Sequence, residues 1–197
     1  MLKVGLTGGI GCGKSTAGVV MAQLGAFIFD ADKEAKNMIG ENLTVQSELI
    51  AEFGTDIMGP GNVIDFKKLG RIALQDEDHQ LRLNLVVHPY IYDLIDENFD
   101  KISSKNEHTM FIVDGALIYE SGYDQHLDYV IVITALMKNR MERALDRGTL
   151  SRQQILQRIE LQWSEEEKTG LADYVIHNDR TEEILHKEIT YIYEQIV

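Results

Sequence analysis

Residues 2–24 carry the feature that most limits what this chain can fold into. An apolar run, Leu2-Lys3-Val4-Gly5-Leu6-Thr7, feeds directly into Gly8-Gly9-Ile10-Gly11-Cys12-Gly13-Lys14-Ser15. Ala17, Val20, Met21 and Leu24 then recur at the i, i+3, i+4, i+7 spacing of a buried helix face, and Gly25 offers a stop. The eight central residues fit G-x-x-x-x-G-K-[ST] between a strand and a helix, the pattern of a phosphate-binding loop. Glycines let successive backbone N–H groups converge on phosphate oxygens, and the helix N-terminus adds partial positive charge. Lys14 can reach the β- and γ-phosphates of a nucleotide, and the Ser15 hydroxyl can ligate Mg²⁺. A chance glycine turn is the bland alternative, and the spacing and flanking elements together disfavour it.

The rest of the chain reads as strands alternating with helices, which favours a parallel sheet with crossover helices. Strands are expected at 26–29 (ending at Asp30), 110–113, 130–134 and 174–176. Helices are expected at 43–53, 66–74, 78–102, 138–147 and 151–162. A last helix starts near Thr181 and carries Leu185, Ile189, Ile192 and Ile196 on one face. Ser151 with Gln154 forms a capping-box signature, and Pro89 is expected to break the helical run around it. The 197 residues suit a single α/β domain, and no run approaches the roughly 18 apolar residues of a membrane span. No signal peptide is apparent, and the one cysteine, Cys12, excludes an internal disulfide or cysteine metal cluster, so a cytoplasmic protein is expected. A net charge of −13 repels nucleic acid and anionic membranes, which disfavours broad backbone binding to DNA or RNA, and neither a nucleic-acid nor a membrane partner is expected. An anionic small molecule would have to be drawn by a few placed cations.

Several residues beyond the loop carry chemistry. Asp30 and Asp32 follow the second strand at the sheet's C-terminal edge, where one can accept a proton from an attacking hydroxyl while the other caps a helix. Asp114 ends the apolar run Met110-Phe111-Ile112-Val113, the pattern of an acid standing near a nucleotide-bound metal through water. His88, beside Pro89, reads either as structural or as part of a site. Arg140, Arg143 and Arg147 lie at helical spacing, with Arg152 and Arg158 close behind. They form either a solvated face paired with Glu142 and Asp146, or a lid in which at least one of Arg143 and Arg147 stabilises charge on a transferring phosphoryl group. Cys12 is either a small inward side chain or a thiol activated by Lys14 and the helix N-terminus.

With these residues in place, the chain resembles the dephospho-coenzyme A kinase family over nearly its whole length. The resemblance rests on 6–16, Asp30-Ala31-Asp32, His88-Pro89, Asp114 with Leu117 and Glu120, Arg143 and Arg147, Gln162, and Ala172-Asp173-Tyr174-Val175-Ile176-His177-Asn178. It implies a nucleoside-monophosphate-kinase-like phosphate-loop fold: α/β, three layers around a five-stranded parallel sheet, with a helical acceptor-binding lobe and a lid. The implied core is about 1–40, 107–138 and 170–197, the lobe about 41–106 and the lid about 139–169. It implies ATP-dependent phosphorylation of the ribose 3′-hydroxyl of dephospho-CoA by a monomer or small homo-oligomer. The implied ATP contacts are Gly8, Gly9, Gly11, Cys12, Gly13, Lys14, Ser15 and Thr16. Asp32 matches the family's base, Arg143 and Arg147 its lid, and Arg71, His88, Leu117 and Glu120 the acceptor side.

The chain departs from the family at three points. Ala116-Leu117-Ile118 stands where Pro-Leu-Leu is usual, Cys12 where serine is usual, and Arg140 where glutamine is common. None removes a group needed for phosphoryl transfer. Another kinase acceptor, such as a nucleoside monophosphate, is the neighbouring reading. A regulatory GTPase switch is disfavoured, because the chain has no Asn-Lys-x-Asp segment and its Asp-x-x-Gly, at 56–59, follows a helix.

Overall fold

The computed structural model describes residues 1–197. In chain order its elements are β1 (Leu2–Thr7), α1 (Lys14–Gln23), β2 (Phe27–Asp30), α2 (Ala31–Glu41), α3 (Leu43–Phe53), α4 (Phe66–Ala73) and α5 (Glu77–Ser103). They continue with β3 (Met110–Asp114), β4 (Tyr129–Thr134), α6 (Met137–Asp146), α7 (Arg152–Glu160), α8 (Glu165–Leu171), β5 (Tyr174–His177) and α9 (Glu182–Ile196). Short 3-10 turns occupy Thr55–Ile57 and Tyr123–His126.

The chain divides into two compact units, residues 1–30 with 95–197 and residues 31–94. The first unit holds a five-stranded sheet in the order β2-β3-β1-β4-β5, with every pairing parallel. β3 is buried along its whole length because parallel strands are covered on both faces. On one face, Val4, Leu6, Ile112, Ile131 and Ile133 pack against Ala17, Val20 and Met21 of α1 and Leu185, Ile189 and Ile192 of α9. On the other, Val130 and Val132 pack with Ile118 and Tyr119, and Phe99 meets Phe111 edge-on at 5.5 Å. Alternation along each strand assigns its residues to these two layers. Gly25 ends α1 as expected: its φ of 107° lies in the left-handed region that a side chain would strain.

The second unit is helical. Asn42 caps α3 by accepting from the amides of Thr44 and Val45, at 2.9 and 3.2 Å. Asp65 caps α4 through Lys67 and Lys68 N–H, at 2.8 and 3.1 Å. Tyr90 donates to Glu48 at 2.8 Å, and Arg82 pairs with Glu52 while lying 5.3 Å from the ring centre of Phe53.

Three local expectations are corrected. Pro89 does not break α5, which runs from Glu77 to Ser103. The hydrogen bond lost to proline would have ended on the carbonyl of Leu85, an exposed residue. Two helices were not anticipated. α2 buries only Ile39, so it lacks a periodic apolar face to read. α8 begins at a capping box of Ser164 and Glu167, a signature present in the sequence and left unread.

Candidate active site

Because the sheet is parallel, the loops after all its strands emerge at one edge. β1 is central, so the phosphate loop leaves between β3, ending at Asp114, and β4, ending at Thr134. This is where ligands bind in open α/β sheets. Asn178, just past β5, donates from Nδ2 to the carbonyl of Cys12 at 2.8 Å. Gly13 has a φ of 103°, and a Cβ there would stand 2.1 Å from that same nitrogen. Only glycine satisfies both constraints. Ser15 is exposed in the first turn of α1, with its hydroxyl available to a ligand, and Thr16 is half-buried beside it.

Lys14 forms an ion pair with Asp114, which is buried at the end of β3. The carboxylate holds the ammonium at the loop.

Gly13, Thr16, Arg143, Arg147, Asn178 and Arg180 line a cleft of about 490 Å³, together with Asp146, Glu182 and Leu185. Arg143 donates through Nη2 to the carbonyl of Asn178 at 2.9 Å, while its Nη1 is buried without a hydrogen-bond partner. A buried guanidinium N–H lacking an acceptor is costly, and an acceptor on a ligand would satisfy it. Arg147 is exposed. Arg180 had no local motif; its signal was position, just past the C-terminal end of a parallel strand, whereas Asn178 ends the 172–178 segment, whose bracing role only the fold shows.

Arg140 departs from the solvated-face reading of the arginine cluster. It is 3 % exposed, pairs with Glu165 at 2.8 Å, and donates from Nε to the carbonyl of Ile10 at 3.1 Å. It is not a solvated surface arginine. Cys12 is 1 % exposed, and burial is the main cause that pushes its thiol pKa up, against the opposing amide and charge of Lys14. The activated-thiol reading is therefore overturned, and Cys12 is a small core side chain.

Leu117 and Glu120 follow β3. Glu120 pairs with the fully buried Lys168 at 2.8 Å and accepts from the Trp163 amide at 2.9 Å. Lys168 also donates to the carbonyl of Ala116 at 2.9 Å, as does the hydroxyl of Thr7 at 3.4 Å. What this site needs of residue 116 is its carbonyl, which proline would supply equally. In the helical unit, Asp32 lies in the first turn of α2, Arg71 is exposed in the last turn of α4, and His88 stacks on Tyr92 with ring centres 5.8 Å apart. Burial lowers the His88 pKa to about 4, so its ring is neutral at pH 7.

The family model described as dephospho-CoA kinase matches residues 2–183. The dephospho-CoA kinase of Aquifex aeolicus is 35% identical over 196 residues, covering 100% of this chain and 98% of its own. That of Thermobifida fusca is 34% identical over 196 residues, with 100% and 96% covered. Among solved structures, TT1252 from Thermus thermophilus superposes with a TM-score of 0.82 at 28% identity, covering 100% of this chain and 98% of its own. Dephospho-CoA kinase from Campylobacter jejuni gives 0.69 at 28%, covering 98% and 96%. A shikimate kinase from Bacteroides thetaiotaomicron, at 0.54, 14% identity and coverage of 99% and 98%, shares the fold. The chain belongs to the dephospho-CoA kinase family.

Proposed function

We infer that this protein transfers the γ-phosphoryl group of ATP to the ribose 3′-hydroxyl of dephospho-CoA, giving coenzyme A and ADP. The observation that carries this reading is a complete phosphate loop, with Lys14 and an exposed Ser15, in a chain matched to this family from end to end. The β- and γ-phosphates lie against the loop amides and Lys14, while the nucleoside occupies the arginine-lined cleft beside Gly13 and Thr16. Arg143, with its unpartnered Nη1, and Arg147 supply positive charge to the phosphate chain.

Asp32 is the assigned base. Its place two residues past Asp30, the end of β2, supports this, because that strand ends at the ligand-binding edge. It orients the 3′-hydroxyl and takes its proton as the oxygen attacks the γ-phosphorus. Arg71, His88, Leu117 and Glu120 are assigned to the acceptor side, His88 as a neutral hydrogen-bonding ring. Mg²⁺ fits the exposed Ser15 hydroxyl and, through water, Asp114, and it would neutralise phosphate charge there. Ligand-supplied oxygens would complete its shell, since no cluster of three acidic, histidine or cysteine ligands exists.

The test is ADP release from ATP with dephospho-CoA, nucleoside monophosphates and shikimate offered in turn. Turnover with dephospho-CoA alone is expected. Preference for a monophosphate or shikimate would overturn the assignment of the acceptor.

A further inference from the structure

Ile10, the second of the four variable residues in the phosphate loop, is engaged at every part by the segment 137–162. Its N–H donates to Oε1 of Gln162 at 3.3 Å, and its carbonyl accepts from Nε of Arg140 at 3.1 Å. Its side chain packs against the apolar cluster of Met141 and Ala144 from α6 and Ile155 from α7. Arg140 is itself fixed by the 2.8 Å pair with Glu165 of α8. The glycines on either side of Ile10 make this approach possible. A Cβ on Gly9 would lie 2.1 Å from the Arg140 guanidinium, and one on Gly11 would lie 2.2 Å from the Arg140 carbonyl oxygen. Gly11 is thus required by the backbone of α6, independently of what phosphate requires, while a side chain at Gly9 would displace the Arg140 and Glu165 side chains.

α6 carries Arg143 one turn beyond Arg140 on the same helical face, and Arg147 at its C-terminal cap. Those two arginines line the cleft with Gly13 and Thr16. The loop that holds phosphate and the helix that presents the arginines therefore meet along Gly9–Gly11, where Ile10 alone contributes both backbone hydrogen bonds and an apolar side chain. Two hydrogen bonds fix the Ile10 backbone, and an apolar plug stops α6 from sliding or rotating along it.

We propose that Ile10 is a positioning residue for phosphoryl transfer, holding the arginine-bearing helix in register with the phosphate loop. This rests on the kinase reading above. Truncating the plug leaves the loop amides and Lys14 in place, so ground-state nucleotide binding survives. The arginines lose their register with the γ-phosphate, and water enters more freely.

Steady-state kinetics of Ile10→Ala and Ile10→Val test this. Ile10→Ala lowers kcat by about 10- to 100-fold, the scale of a roughly 1 Å misplacement, with both KM values little changed. ADP formation without acceptor rises relative to transfer, and Ile10→Val restores most of kcat. In an Arg147→Gln background the Ile10→Ala loss shrinks, because the two act through one geometry. A kcat near wild type for Ile10→Ala, or an undiminished loss in the Arg147→Gln background, would overturn the proposal while leaving the kinase reading intact. Should Ile10→Ala unfold, Ile10→Val carries the test: a smaller kcat loss at constant KM is expected, and none overturns it. A wild-type protein that turns over no acceptor strikes the kinase reading and this inference with it.

Discussion

Lys168 has no solvent exposure, and its ammonium is balanced by the Glu120 carboxylate and the Ala116 carbonyl. Such a pair contributes little over an apolar pair of the same shape, but breaking it strands a buried charge. Lys168→Met should therefore destabilise the fold by about 3–5 kcal/mol, read from urea midpoints, and Lys168→Met with Glu120→Leu should recover much of that loss. Equal destabilisation in the single and double variants would mean that packing, and not charge, governs the site. Cys12 makes the opposite point at the same scale. Its thiol is buried with a raised pKa, so iodoacetamide should label native protein far more slowly than urea-unfolded protein. Rapid native labelling would contradict the burial described here.

Among the elements, α5 tolerates a proline that its sequence position should forbid. Pro89 is exposed within a helix of 27 residues, and the carbonyl it leaves unserved belongs to exposed Leu85. Pro89→Ala should restore that bond and raise the unfolding free energy by about 1–3 kcal/mol, seen as a higher Tm. A lower Tm would show that α5 needs the local bend. The strands were legible for a simpler reason. β1, β3, β4 and β5 are short apolar runs whose limits are set by residues such as Gly8 and Asp114. α2 was not legible, because a helix that buries only Ile39 has no period to detect.

For the whole molecule, pH acts through groups whose pKa values fall on folding. His88 falls from 6.5 to about 4 through burial. The unfolded chain therefore takes up this proton before the folded one does. Its contribution to stability is complete above pH 6.5 and is lost as pH falls from there to about 4, on the order of 2–3 kcal/mol. Asp65 and Asp76, lowered from 3.8 mainly by amide hydrogen bonds, and Glu167, lowered from 4.5 mainly by Ser164, have the same sign and act at lower pH. Urea unfolding at pH 7 and pH 5 should show a loss in the wild type that is reduced in His88→Gln. An equal loss in both would remove His88 from the acid response.

What the sequence determined by itself was whatever depends on neighbours a few residues apart. That covers the strand–loop–helix carrying Lys14 and Ser15, the acids at strand ends, the capping box at Ser151, and the spacing of Arg140, Arg143 and Arg147. Tertiary structure alone decided which of those arginines is free to serve a ligand. It buried Arg140 against Ile10 and Glu165, left Arg143 with an unserved N–H and Arg147 exposed, and made Gly11 necessary to a distant helix. The physical reason is that burial and charge pairing depend on contacts between residues distant in sequence, such as Arg143 with Asn178 and Arg140 with Ile10, 35 and 130 positions apart. Local spacing can nominate such residues, but only the packed chain settles which atoms meet.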